Sequence, residues 1–207
     1  VLSLPGMTAY HGLMNVGKPK AGETLFVTGA AGSVGVIVGQ IAKAEGLRVV
    51  GCAGSDEKCR WLESELGFDQ AINYHSDNLS AELAAAMPDG IDVFFENTGG
   101  PVQLLAYERM NTFGRIVVCG LIADYSSAQP APGPSWLRMI KKRLTIQGFA
   151  MPDHWDKSAE LVKAVSTYLM KGQIQYKAHT LQGLESAIEG VNLLFTGGNM
   201  GKLMVKL

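Results

Sequence analysis

Charge of one sign, paired cysteines and long hydrophobic runs are all missing from this 207-residue chain. Lys and Arg number 18 against 19 Asp and Glu, a net charge of −1, so nothing draws the protein toward nucleic acid or an anionic membrane surface. No apolar run reaches the roughly 18 residues that span a bilayer. The three cysteines, Cys52, Cys59 and Cys119, are an odd number without C-x-x-C spacing. That argues against a disulfide framework or a structural zinc and fits a reducing cytoplasm, with each cysteine a small buried apolar residue. What the chain has in quantity is apolar side chains, 47%, and 25 glycines, with only 18% charged residues. Such a composition indicates a packed globular protein with many tight turns, sized for one large domain or two small ones. The chain opens on Val1, which reads as a fragment or a processed product.

Short β-rich runs alternate with helical patterns. Strands are expected at 24–29 (TLFVTG), 47–53 (LRVVGCA), 70–74 (QAINY), 91–96 (IDVFFE), 115–120 (RIVVCG) and 144–149 (LTIQGF), with helices at 33–45, 56–66, 79–87, 102–110 and 153–171. Several strands are almost continuous in Val, Ile and Phe, as in sheets covered by helices on both faces. The alternation predicts an α/β chain, a Rossmann-type doubly wound parallel sheet of about six strands with right-handed crossovers. After Lys171 the rhythm breaks. A strand at 176–180, a helix at 184–195 and a final strand at 202–207 read as an addition outside the main sheet. The segment 126–135 (SSAQPAPGPS) carries three prolines and reads as a loop leaving the carboxyl edge, where such folds bind ligands.

The stretch FVTGAAGSVG, 26–35, is the first chemical signal. A P-loop needs a lysine that is absent here. The short-chain dehydrogenase pattern begins at Thr28-Gly29 but wants glycine where Ser33 stands, and Tyr168 and Lys171 are one residue too close for its Tyr-x-x-x-Lys. A methyltransferase would want an acid at the end of the second strand. A dinucleotide loop fits better, in the register Ala30-Ala31-Gly32-Ser33-Val34-Gly35. Ala30 is adequate at the first turn position, with Gly29 an addition ahead of it. Gly32 lets the backbone approach a pyrophosphate and Gly35 lets helix and strand pack closely. Taken alone, the loop also fits an ordinary strand-helix turn.

The second strand ends Gly51-Cys52-Ala53-Gly54-Ser55, without the acid that binds ribose hydroxyls ~20 residues after the glycines of NAD-preferring folds. That leaves room for a 2′-phosphate, which Ser55 and Lys58 could bind, and favours NADP over NAD. Asp56 follows an N-cap serine and belongs to a first helical turn.

With Gly6-Met7-Thr8-Ala9-Tyr10 upstream and AGSDEK (53–58) downstream, the pattern becomes specific. So do ELGFDQAINY (65–74), FFENTGG (94–100), GRIVVCGLIADY (114–125), KRLTIQGF (142–149) and GGNMGKLMVKL (197–207). In family order over essentially the whole chain, the sequence resembles the cofactor-binding part of the medium-chain dehydrogenase/reductase superfamily. Its likeness is greatest to the zinc-independent double-bond reductases, the alkenal and prostaglandin reductase group.

The resemblance implies an NADPH-dependent reductase of the C=C bond in α,β-unsaturated ketones or aldehydes, with no metal. It also implies a GroES-like substrate domain ahead of Val1, to which the tail returns. Residues 1–172 would then be the NADP-binding domain and 173–207 the returning segment, unable to catalyse alone. Ala31, Gly32, Ser33, Val34 and Gly35 would line the pyrophosphate. Gly54, Ser55 and Lys58 would read the 2′-phosphate, with Tyr74 near the adenosine end and Asn97 along the pyrophosphate path. Cys119, Gly120, Leu121 and Ile122 would follow the nicotinamide side, with Phe149 and Asn199 nearby.

Tyr125 would assist proton delivery or orient substrate; it could equally anchor the proline-rich loop. Asn97 also fits a turn former, Tyr74 a strand-end aromatic, and Asn199 a loop residue in a left-handed backbone. His11, His75, His154 and His179 lack ligand spacing and read as structural or surface residues. A quinone reductase of the same superfamily and a non-catalytic nucleotide-binding module stay open as alternatives. A homodimer through the 144–149 strand is a further implication.

Overall fold

Six apolar runs end up side by side in the computed structural model, which describes residues 1–125 and 133–207. They are β1 (Thr24–Val27), β2 (Arg48–Ala53), β3 (Gln70–Asn73), β4 (Ile91–Glu96), β5 (Met110–Val118) and β6 (Thr145–Gly148). All pairings are parallel and the order is β3-β2-β1-β4-β5-β6, the doubly wound sheet the alternation predicts.

Burial explains the run of consecutive hydrophobics. Leu25, Val27, Val93 and Phe95 face one core, whereas Phe26, Val50, Phe94 and Ile116 face the other. Helices cover both faces, so neither side of a central strand meets water. The first core is filled by α1 (Leu4–Tyr10), which Pro5 begins, and by α2 (Gly35–Ala44) and α7 (Ser158–Met170). The second takes α4 (Leu79–Ala86) and α5 (Gly100–Glu108). α3 (Asp56–Ser64) follows β2, and α6 (Trp136–Lys142) precedes β6.

Several boundaries differ from expectation, those of β5 most clearly. β5 begins at Met110, with a register shift opposite Ile91 and Val93, and stops at Val118. It stops there because the N–H groups of Cys119 and Gly120 both turn to the carbonyl of Glu96, at 2.9 and 3.1 Å. α1 and the π-helical stretch His11–Gly17 after it were read only as a motif. Of the proline-rich segment, residues 126–132 lie outside the described residues.

The tail forms its own sheet. β7 (Ala178–Gln182) and β8 (Lys202–Lys206) pair in parallel, linked through α8 (Ala187–Thr196). They stand outside the main sheet, as expected. One bridge, Gly32 beside Gly201, joins the two. No helix among the described residues is long and apolar enough to cross a membrane.

His11 is buried against α7's approach. Its ring lies 3.9 Å from that of His154 and 5.3 Å from Phe149, and its Nδ1 is 3.1 Å from the Asn15 amide nitrogen. Burial, with the charges of His154 and Lys157 adding to it, lowers the His11 pKa below its usual 6.5. The folded chain therefore binds fewer protons at this ring than the unfolded chain does. Its contribution to stability is complete above about pH 6.5 and is lost as pH falls through the lower folded value. Thermal melts from pH 8 downward should show this loss, and His11→Phe should flatten it.

Candidate functional site

The carboxyl ends of β1, β2 and β4 open onto a cleft of about 470 Å³, whose far wall is α8 and β8. Its floor is the turn after β1. Gly29 has a left-handed backbone, φ +58°, and its carbonyl accepts the N–H of Gly32 at 2.9 Å. Ala30 is buried and sends its own N–H to the Cys52 carbonyl at 3.0 Å. This corrects the assignment of the tight turn to Ala30. A residue without Cβ takes positive φ at little cost, and here that residue is Gly29.

Gly35 acts as expected. A Cβ there would lie 2.7 Å from the Ala30 Cα and would run into the Gly29 carbonyl oxygen. Glycine thus lets α2 start hard against the end of β1. No side chain caps α2, and the N–H groups of Ser33, Val34 and Gly35 have no partner among the described residues. Free first-turn amides and the helix dipole together favour an anion at this point.

A second wall comes from β2 and α3. Gly54, Lys58 and Tyr74 line the cleft. A Cβ on Gly54 would sit 2.6 Å from the Tyr74 hydroxyl, so glycine is what admits the ring. Ser55 is placed differently: its side chain caps α3 by accepting the Lys58 N–H at 3.3 Å, and it does not line the cleft. Asp56 sits in the first turn of α3, as expected.

The Lys58 ammonium donates to the carbonyl of Gly197, the left-handed residue that ends α8. That places a cation at a helix carboxyl terminus. An ammonium has three donors, so this bond leaves others for an anion in the cleft. Burial lowers the Lys58 pKa, partly offset by Glu57.

Asn97 and Asn199 reach the same cleft from opposite sides. The Asn97 amide nitrogen donates to the Thr28 carbonyl at 2.7 Å, and that of Asn199 to the Gly201 carbonyl at 3.1 Å. Asn199 is not left-handed, so that alternative falls away. Ala31 and Ile122 also line the cleft.

Cys119, Gly120 and Leu121 follow the turn after β5 without lining the cleft, and burial pushes the Cys119 thiol up to about 12. Phe149 packs on His11, also off the cleft. Tyr125 is exposed outside it; its hydroxyl oxygen accepts the Leu121 N–H at 3.2 Å. The proline-rich loop it could anchor lies outside the described residues from 126 to 132.

Sequence reasoning missed Gly29, Thr98 and the apolar wall made by Val191, Leu194, Phe195 and Leu203. It also missed Glu96, although an acid directly after the apolar run Val93-Phe94-Phe95 was a readable signal.

A family model described as zinc-binding dehydrogenase matches residues 33–167. The chain belongs to that family. The NADPH-dependent curcumin reductase of Escherichia coli is 41% identical over 100% of this chain and 62% of its own length. For the 2-alkenal reductase (NADP(+)-dependent) of Nicotiana tabacum the figures are 42%, 99% and 60%. The crystal structure of CurA from Vibrio vulnificus in complex with NADPH matches with a TM-score of 0.95 at 39% identity, over all of this chain and 63% of that one. A quinone oxidoreductase of Escherichia coli complexed with NADPH shares the fold, with a TM-score of 0.83, at 21% identity over 99% of this chain and 63% of its own.

The resemblance read from the motifs is borne out: the chain belongs to the medium-chain dehydrogenase/reductase superfamily, and the relatives it is similar to include NADP-dependent alkenal and curcumin reductases. It spans about three-fifths of the length of these relatives. The family description names zinc, but among the described residues no three or more His, Cys, Asp or Glu side chains gather to hold a metal ion.

In this dehydrogenase-family loop, Gly35→Ala should cost about 1–3 kcal/mol of stability by overpacking against backbone that cannot yield. Gly32→Ala meets only the Gly29 carbonyl, at 3.1 Å, and should cost less. Urea unfolding of the two variants beside the parent chain checks both.

Proposed function

We propose that the chain is the NADP(H)-binding part of a reductase that saturates the C=C bond of α,β-unsaturated ketones and aldehydes. The observation that carries this is the cleft itself, where unpartnered amides at the start of α2 face Lys58 across a second strand with no closing acid. The residues fit the cofactor: Gly32, Gly54, Lys58 and Tyr74 line one cleft with the uncapped start of α2. The Ser33, Val34 and Gly35 amides would take the pyrophosphate. Lys58 and the Gly54–Ser55 turn would take the 2′-phosphate, and Tyr74 the adenosine end. Asn97, Ile122 and Asn199 would border the remainder, with Cys119, Gly120, Leu121 and Phe149 supporting the nicotinamide side from behind.

NADPH, when bound, supplies hydride to the β-carbon of the enone. The protein must then supply a proton to the α-carbon and donors to the developing enolate oxygen. Tyr125 suits the proton step. Its oxygen accepts from Leu121, which leaves its O–H free to donate.

The names of the relatives support the substrate class, and their greater length supports a second unit, which the resemblance makes a substrate domain of the GroES-like type. In this reading residues 1–172 bind cofactor, and 173–207 return to that unit with the exposed apolar side chains of α8, Ile188, Val191 and Phe195. β6 is the edge of the sheet, beside exposed Trp136, Leu137 and Ile140, which suits pairing across a two-fold axis into a homodimer. The cytoplasm suits its unpaired cysteines.

Titration of the chain with NADPH and NADH tests the cofactor reading. NADPH should bind more tightly, and Lys58→Ala should weaken NADPH alone by about tenfold or more, the worth of a hydrogen bond to a charged group. Equal binding of the two cofactors would overturn the 2′-phosphate assignment. In a full-length protein, Tyr125→Phe should lower turnover on enones while leaving cofactor affinity unchanged. Assaying enones beside quinones separates the two reductase classes.

A further inference from the structure

β4 is apolar through Phe94 and Phe95, then ends on Glu96, whose side chain is fully enclosed. A carboxyl group cut off from water is costly unless its oxygens are hydrogen-bonded. Only one of them is. Oε1 accepts the N–H of Thr98 at 2.6 Å, the N–H of Gly99 at 3.1 Å and the hydroxyl of Thr28, whereas Oε2 has no partner among the described residues. None of the ion pairs among the described residues involves Glu96. Ion pairing therefore does not account for a carboxyl group in this place.

The bonds made by Oε1 show what it does. Having donated to Glu96, the Thr28 hydroxyl oxygen accepts the Asn97 N–H at 2.9 Å, and the Asn97 side chain returns a bond to the Thr28 carbonyl at 2.7 Å. Thr28 precedes Gly29, where the left-handed turn of the cleft floor begins. Thr98 and Gly99 lead into α5, and Gly99 is itself left-handed, φ +77°. One acceptor atom thus fixes the ends of β1 and β4 against each other at the edge where the cleft opens.

We propose that Glu96 is a positioning residue of the cleft, holding the turn after β1 and the Asn97 amide in the arrangement that receives a dinucleotide. It acts through Thr28 and Asn97 and touches no ligand itself. The proposal rests on the cofactor reading above for its functional consequence, but its geometric claim concerns the loop itself.

The test compares Glu96→Gln, Glu96→Leu and Thr28→Val in the 207-residue chain. Two readouts are taken, NADPH affinity and the backbone amide signals of residues 29–35 without cofactor. Glu96→Gln keeps an acceptor oxygen for all three donors, so both readouts should stay near those of the parent. Glu96→Leu strands the N–H groups of Thr98 and Gly99 and the Thr28 hydroxyl, and it should weaken NADPH by about tenfold or more while moving the amide signals. Thr28→Val, which keeps the shape and loses the hydroxyl, should do the same, and it decides the matter if Glu96→Leu does not fold.

Unchanged affinity and unmoved signals in folded Glu96→Leu or Thr28→Val would overturn the proposal. So would a Gln variant as impaired as the Leu variant, since acceptance would then not be the relevant property. If the parent chain binds no NADPH, the cofactor reading fails, and the cofactor-free signals still decide whether Glu96 sets the loop.

Discussion

The close approach of α2 to the end of β1 governs the site. Gly35 sits against the backbone of Gly29 and Ala30, where a Cβ has no room, and Gly29 turns through a left-handed conformation to make the approach possible. Because the turn is this tight, no residue is left over to cap α2, and the amides of Ser33, Val34 and Gly35 have no partner among the described residues. A stability rule, that helix ends be satisfied, is left unmet where an anionic ligand can meet it.

The other walls follow from that floor. The tail reaches it through the Gly201 N–H, which donates to the Ala31 carbonyl at 2.8 Å, and through Lys58, which holds the end of α8. β7 and β8 are too small a sheet to stand alone, and these contacts tie them to the larger body. On the opposite side, Glu96 and Thr28 tie the loops after β1 and β4 together. The cleft is thus bordered by segments distant in sequence and joined by a few polar contacts, whereas the sheet beneath is held by two continuous apolar cores.

Much of this was legible in the sequence because burial on both faces leaves a plain signature. Runs such as LFV in β1 and VFF in β4 admit little besides a central strand, and the parallel, doubly wound sheet followed from alternation with helices. The N-terminal helix was not legible. Gly6, Gly12 and Gly17 interrupt its pattern, and they are present because side chains there would strike Val1, Phe95, Phe149 or Val117. That is a tertiary reason, invisible to local periodicity. At the site, the spacing of Gly32 and Gly35 located the loop, but which residue bears the left-handed turn depends on the exit direction of β1. The sequence nominated Ser55 both as a ligand and as a helix N-cap, and only the structure shows that its oxygen is engaged in the cap and stays off the cleft. Glu96 carried a readable sign that its solvent-free position explains only in three dimensions.

The central claim is that the unpartnered amides at the start of α2 are the anchoring point for the pyrophosphate of NADP(H). Amide hydrogen exchange of the chain with and without saturating NADPH tests it most directly. The account predicts slowed exchange at Ser33, Val34 and Gly35, together with the Gly54–Lys58 turn, and no change at the β6 edge. Tight NADPH binding with unchanged exchange at Ser33, Val34 and Gly35 would contradict it.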